Sequence, residues 1–450
     1  MSSRVKKMTE GTPWKLILAF SMPLMLGNVF QQMYTIVDTM VVGRFLGVNA
    51  LAALGADDWF SWMMLGIVQG FTQGFAIKMA QDFGAGNEAA LKKTIGNSTV
   101  IAILFSLFLT LLGELAVIPG LKLLQTQEAV FADAEIYLRL IFAGTPVIML
   151  YNLFASVLRS LGDSKTPLHA MIVASLTNIG LDLLLVIVFK WGIAGAALGT
   201  VCAQFVSILY CLWHMRKMEL LHLQRSDYRL ELKLGGHLLY LGLPMAFQNA
   251  IIAVGGMIVQ SVVNRFSVAF IAGVTAVNKL YGLLEIAGTS YGYAMVTYTG
   301  QNLGAGKLNR IRQGVRSALL IALITSVTIG VLMLVFGESI VSIFISGTRE
   351  QVAEAVRVGY KYLAIMGTFL PILYFLHVVR STIQGQGNTV LPMVSGIAEF
   401  FMRISMVLFC TILGESRIFF AEVAAWTGSD LVLIPSYLIL MRRLCKKEEA

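Results

Sequence analysis

Asp38 stands inside a stretch, residues 14–42, that is otherwise mostly apolar apart from Asn28, Gln31 and Gln32. A carboxylate at the centre of a membrane-spanning helix costs roughly 2.5–3.5 kcal/mol on insertion scales, so it is retained where it meets a polar cavity or a partner. A second acid, Asp182, lies in another apolar run, four residues after Asn178. On a helix that spacing puts both side chains on one face. Two carboxylates with an amide oxygen beside them suit a hard cation, or a proton shared between the acids. Sodium is therefore one candidate ligand of Asp38, Asn178 and Asp182. In a third run Glu285 neighbours Tyr281 and is a candidate for the wall of a polar cavity. Asp57 and Asp58 form a further acidic pair, expected at a membrane boundary where solvated carboxylates cost little.

The elements that must position these residues follow from composition. Hydrophobic residues make up 57% of the 450, charged residues 13%, and the mean hydropathy is +0.76. So little charge cannot cover so much apolar surface in water, and the chain reads as an all-α integral membrane protein. Apolar windows long enough to span fall near 14–43, 50–79, 94–118, 133–158, 167–189, 193–215, 237–262, 268–299, 314–337, 353–379, 390–413 and 417–441. The net charge of +9 does not point to nucleic acid, because the basic residues follow the loops and do not gather on one face. With the N-terminus inside, inward segments hold most of the basic residues, among them Lys6, Lys7, Lys92, Lys93, Arg159, Arg216, Arg225, Arg310, Arg380 and Arg442, whereas outward loops hold Arg44, Lys122, Lys190, Arg265, Arg349 and Arg417. This bias predicts that both termini are cytoplasmic, with the basic N-terminus as an anchor of topology and not a removable signal. Of the four cysteines, Cys202, Cys211 and Cys410 lie in spans and Cys445 in the tail, so neither a disulfide framework nor a metal spacing is expected.

One unit is used twice. Pro23 and Pro244 are 221 residues apart, as are Val41-Val42-Gly43-Arg44-Phe45 and Val262-Val263-Asn264-Arg265-Phe266. Gly84-Ala85-Gly86 pairs with Gly304-Ala305-Gly306, Pro146 with Pro371, and Gly162-Asp163 with Gly387-Asn388. Each copy holds six spans, an even number, so the copies enter the membrane from the same side and are parallel repeats related by a pseudo-twofold axis along the membrane normal. The expected organisation is a cytoplasmic segment 1–13, an N-terminal lobe 14–217, a linker 218–236, a C-terminal lobe 237–442 and a tail 443–450. Pro23 and Pro244 each remove a helical hydrogen bond and are expected to kink their spans. The chemistry is not repeated. Asp38 corresponds to Val259, Asn178 to Arg403 and Asp182 to Val407. Arg403 follows Glu399 by four residues, a spacing that predicts an intrahelical ion pair.

In order and spacing these motifs resemble the multidrug and toxic compound extrusion (MATE) family over essentially the whole chain. The matching pieces are Pro23 to Asp38, Gly84-Ala85-Gly86, Arg159 to Pro167 and Asn178-Ile179-Gly180-Leu181-Asp182. Within the family the chain is similar to the bacterial branch of the DNA-damage-inducible F type. The resemblance implies a coupling-ion site in the N-terminal lobe at Asp38, Tyr137, Asn178, Asp182 and Thr200. From the residues themselves, Gln248, Gln260, Tyr281 and Glu285 are candidates for a substrate cavity. The NorM type also carries acids in the seventh and tenth spans. Here those spans offer Gln248, Asn249 and Gln260, and Tyr374 and His377.

Other chemistries find less support. The Gly-Ala-Gly motifs follow helices, without the strand or the Gly-Lys-Ser/Thr ending of a phosphate loop, and read as tight turns. His169, His214, His222, His237 and His377 are scattered at loop edges without metal spacing, and no nucleophile elbow is present, so a membrane-embedded enzyme is not expected. A lipid-linked oligosaccharide flippase of the same superfamily is the nearer rival, but such proteins usually add two spans and a cationic cavity. The expected function is a secondary antiporter of a bacterial plasma membrane. It would act as a monomer without a cofactor, exporting hydrophobic, cationic small molecules against protons or sodium.

Overall fold

The computed structural model describes residues 5–123, 126–345, 348–413 and 415–448. Among these residues the regular elements are all helical, joined by short turns. It runs α1 Pro13–Phe45, α2 Val48–Gly84, α3 Glu88–Leu123, α4 Glu128–Ala143, α5 Thr145–Ser160, α6 Lys165–Asp182 with a π-helical turn Leu183–Val188, and α7 Ile193–Met215. After short 3₁₀ turns come α8 Leu232–Val263, α9 Val268–Gly304, α10 Leu308–Ile343, α11 Arg349–Gly385, α12 Val390–Leu413 and α13 Ala421–Glu448. Among the described residues eleven helices are long and apolar enough to cross a membrane, and twelve if α4 and α5, bent by 47° at their junction, count as one span.

That bend refines the span expected at 133–158. The break falls at Gly144, two residues before Pro146. Proline lacks the N–H that would continue the ladder, and glycine lowers the resistance to leaving it. In the second copy Pro371 sits inside the continuous helix α11, where Phe369 stands in place of Gly144. Helices α1 and α8 likewise run unbroken through Pro23 and Pro244.

The repeat is visible at the turns. Gly86 and Gly306 both adopt φ +69°, and Gly162 and Gly387 adopt +81° and +88°, a left-handed conformation open to glycine at little cost. Asp163 then starts α6: its Oδ1 accepts from the amides of Lys165 (3.0 Å) and Thr166 (2.9 Å), and its Oδ2 from the Thr166 hydroxyl. Asn388 starts α12 in the same way, its Oδ1 accepting from the Leu391 amide at 3.1 Å. Such caps satisfy amides that have no partner within the helix.

Two compact units result. One holds residues 1–7 and 22–246, the other 8–21 and 247–450. The unit boundaries therefore fall inside α1 and α8, one residue before Pro23 and two after Pro244. In the first unit the linker is tied down by Asn97 of α3, which donates to the Arg229 carbonyl (3.1 Å) and accepts from the Glu231 amide (2.8 Å). In the second, Met8 is held by Gln301 and Asn302 of α9, and Gly11 by Arg310 of α10.

Candidate functional site

Helices α1 and α6 bring the two acids together. Gly27 of α1 lies against Leu168 and Met171 of α6, and one turn further on the Ser175 hydroxyl reaches the Phe30 carbonyl at 3.5 Å. Extending both stripes by helical spacing sets Tyr34 and Asp38 against Asn178 and Asp182. The Asp38 and Asp182 carboxylates come within hydrogen-bonding reach of each other. Both are buried, at 7% and 0% exposure. Ionised carboxylates only accept hydrogen bonds, so a proton or a cation between them is what turns this contact from repulsive to bonding.

Asn178 completes one side. Its Nδ2 lies 3.5 Å from both Asp182 Oδ1 and the Thr200 hydroxyl of α7, which leaves the amide loosely held. Among the described residues, Asn178 Oδ1 and Asp182 Oδ2 are buried acceptors without a hydrogen-bond donor. Buried polar atoms are nearly always paired, and two orphaned oxygens beside a carboxylate pair leave acceptor capacity that a positive charge would satisfy. Of the five residues expected here, the structure gathers Asp38, Asn178, Asp182 and Thr200. Tyr137 of α4 is half-buried and packs against the apolar core of the unit.

Three features of the site escape sequence reasoning. Tyr34 lies within hydrogen-bonding reach of Gln31 and Gln204 and faces both acids. Its spacing of four from Asp38 was a usable signal. Gly199 lets α7 approach: a Cβ there would stand 2.4 Å from Asp182 Oδ1. Directly after Asp182 the helix widens into the π-helical turn Leu183–Val188, an irregularity that recurs at functional sites and leaves no composition signature in this run of leucine, valine and isoleucine. No group of three His, Cys, Asp or Glu side chains able to hold a metal ion occurs among the described residues.

The second unit places its polar residues differently. Arg380, counted above with the inward loops, is instead buried within α11, where Glu399 Oε2 (2.7 Å), the Ser429 hydroxyl (2.8 Å) and the Gln248 amide oxygen (3.0 Å) surround it. A guanidinium can leave water there because its donors all find acceptors. Gln248 is thereby engaged with Arg380, and Gln260 donates to Asn264 at 2.8 Å. The ion pair expected between Arg403 and Glu399 is present but long, 3.4 Å, and the shorter bonds of Arg403 go to Glu422 of α13 at 2.8 and 3.0 Å. His377 is not at a loop edge. It lies inside α11 with Nε2 3.4 Å from Glu285 of α9, while Tyr281 stacks on Trp426. Asp57, expected to be solvated, is 1% exposed, and the Asp58 side chain lies outside the described residues.

Comparison with known proteins accounts for this frame. The MatE family model matches twice, over residues 23–184 and 244–409, so the matches begin at Pro23 and Pro244, 221 apart, and end 225 apart, the spacing of the internal repeat. The probable multidrug resistance protein YpnP of Bacillus subtilis is 30% identical over 396 residues, covering 88% of this chain and 87% of the relative. The DNA damage-inducible protein F of Escherichia coli is more distant, at 24% identity over 82% of this chain and 81% of its own. A crystal structure of MATE in complex with MaL6 superposes with a TM-score of 0.89 and 20% identity, covering 99% of this chain and 100% of that one. The doubled match, the relative and the shared fold agree, and the chain belongs to the MATE family of membrane transporters and not to a family of enzymes.

Proposed function

We propose that this transporter is a secondary antiporter that exports hydrophobic, cationic small molecules in exchange for protons or sodium, with Asp38, Asn178, Asp182 and Thr200, flanked by Tyr137, as its coupling-ion site. The observation that carries the reading is the approach of two buried carboxylates on α1 and α6 beside orphaned acceptor oxygens. An inward-moving ion neutralises this pair and a departing ion restores its charge. Coupling follows if the loaded and unloaded pairs favour different conformations, because a ligand shifts an equilibrium only by its differential affinity for the two states. The kinship with YpnP, a probable multidrug resistance protein, supports export of varied compounds. Glu285, Tyr281, Gln248 and Gln260 are assigned to substrate recognition in the second unit, and Pro23 and Pro244 to bending of α1 and α8. The basic bias of the loops supports both termini in the cytoplasm of a bacterial cell, and a monomer suffices for every part of the scheme.

The test is transport by the purified protein in proteoliposomes under an imposed pH gradient or an imposed sodium gradient. Movement of a lipophilic cation such as tetraphenylphosphonium is expected to follow one of the two. Movement driven by neither gradient, together with binding of a lipid pyrophosphate, would replace the antiporter with the flippase.

A further inference from the structure

The charges of the second unit cancel in an identifiable way. Arg380 and Arg403 bring two positive charges, Glu399 and Glu422 two negative, and the four are joined by contacts of 2.7 to 3.4 Å. All but Glu422 are less than 9% exposed. Glu285 and His377 form a separate pair beside them. One acid is left over. Asp430 of α13 follows Ser429, which accepts from Arg380. It is 8% exposed, its field partners are Arg380 and Glu399, and its Oδ1 has no hydrogen-bond donor among the described residues. Arg380, the cation whose field reaches Asp430, is committed to Gln248, Glu399 and Ser429. Arg403 gives Nε and Nη2 to Glu422, and although its Nη1 has no acceptor among the described residues, it is not among the charges that act on Asp430.

A fifth ionised group in a buried, already neutral cluster leaves an uncompensated charge away from water, a state proteins avoid by binding a counter-charge. The oxygens for a metal ion are lacking, since both Glu399 oxygens serve arginines and no three-acid group is present among the described residues. The counter-charge that fits is a proton.

We propose that Asp430 is a proton-binding site of the second unit, separate from the Asp38–Asp182 pair, which holds a proton while the Arg380–Glu399–Arg403–Glu422 network is intact and releases it when that network loses a negative charge. The proton comes from water and adds to one carboxylate oxygen, and no other bond changes. The charged groups that act on Asp430 are Arg380 on α11 and Glu399 on α12, and Glu399 is joined through Arg403 to Glu422 on α13, so a change of charge in this network during transport is linked to it. The site extends the ion-coupled reading, but it stands or falls on a measurement that needs no transport.

That measurement is infrared absorption of protonated carboxyl groups in the purified full-length protein at neutral pH, in an Asp38→Asn/Asp182→Asn background that silences the first unit's pair. Asp430→Asn, which has the shape of the neutral acid and is expected to fold as the parent does, is expected to remove one carboxyl component. Glu399→Gln, with Asp430 still present, is expected to remove the same component, because Asp430 ionises to replace the missing charge. Sodium is expected to leave it in place. A carboxyl signal unchanged by Asp430→Asn overturns the proposal, and so does one removed by sodium or retained in a folded Glu399→Gln protein. A failure of the antiporter reading would show separately, as loss of gradient-driven transport in the unmutated protein with this carboxyl component intact.

Discussion

At the scale of single residues, the account rests on two oxygens that have no donor and two carboxylates that face each other. Asp38→Asn and Asp182→Asn keep shape and remove a titratable charge, so thermal unfolding in detergent is expected to stay within a few degrees of the parent or rise. If the two acids form the proposed single site, the double variant is expected to be no worse in gradient-driven transport than either single, which a double-mutant cycle reads directly. Gly199→Ala is a sharper probe of geometry. Its Cβ would overlap Asp182 Oδ1, and overpacking of this kind costs about 1–3 kcal/mol. Coupling-ion affinity is expected to fall by roughly tenfold or more, as 1.4 kcal/mol is tenfold. A titration of ion-dependent transport that found no change would mean that the carboxylate has room to move. Asp38 and the Asn178–Asp182 pair were legible in sequence because charge in an apolar run is conspicuous. Gly199 was not, since glycine is not unusual in a membrane helix, and for Tyr34 the sequence offers only its spacing of four from Asp38.

At the scale of elements, most of the architecture could be read from hydropathy and the repeat. Spans, turns and even matching positive-φ glycines fall where the doubled sequence puts them. What hydropathy does not carry is how a span is interrupted. The break before Pro146 and the continuity through Pro371 go with Gly144 in one copy and Phe369 in the other, and a window average is blind to that exchange. Phe369→Gly is therefore expected to loosen α11 near Pro371, seen as faster amide hydrogen exchange there than in the parent. The caps give a second expectation: Asp163→Ala and Asn388→Ala each lose an N-terminal cap worth about 0.5–2 kcal/mol, Asp163→Ala the more because its carboxylate accepts three hydrogen bonds and Asn388 is seen to accept one. Equal melting temperatures for the two variants would contradict that ranking. Buried arginines are the other blind spot. Arg380 looks like a loop residue by its charge, and only the acceptors around it, drawn from three other helices, explain its burial.

At the scale of the whole molecule, one repeat has been specialised in two directions: paired acids in the first unit, a neutralised network of arginines and glutamates in the second. The positions Asn178 and Arg403 correspond in the repeat, yet one carries a neutral amide and the other a cation, which favours the proposed placing of cation capture in the first unit. Topology is tested by labelling single cysteines with a membrane-impermeant reagent in intact cells. Residue 225 is expected to be protected, and residues 44 and 349 reactive. The most direct test of the central claim is uptake driven by the identified ion gradient into vesicles holding equal amounts of parent, Asp38→Asn, Asp182→Asn and Glu285→Gln protein. Loss of driven uptake in both aspartate variants, with Glu285→Gln still coupled but altered in the substrates it accepts, is the result the account predicts. Full coupling in Asp38→Asn with loss in Glu285→Gln would contradict it and move the ion site to the second unit.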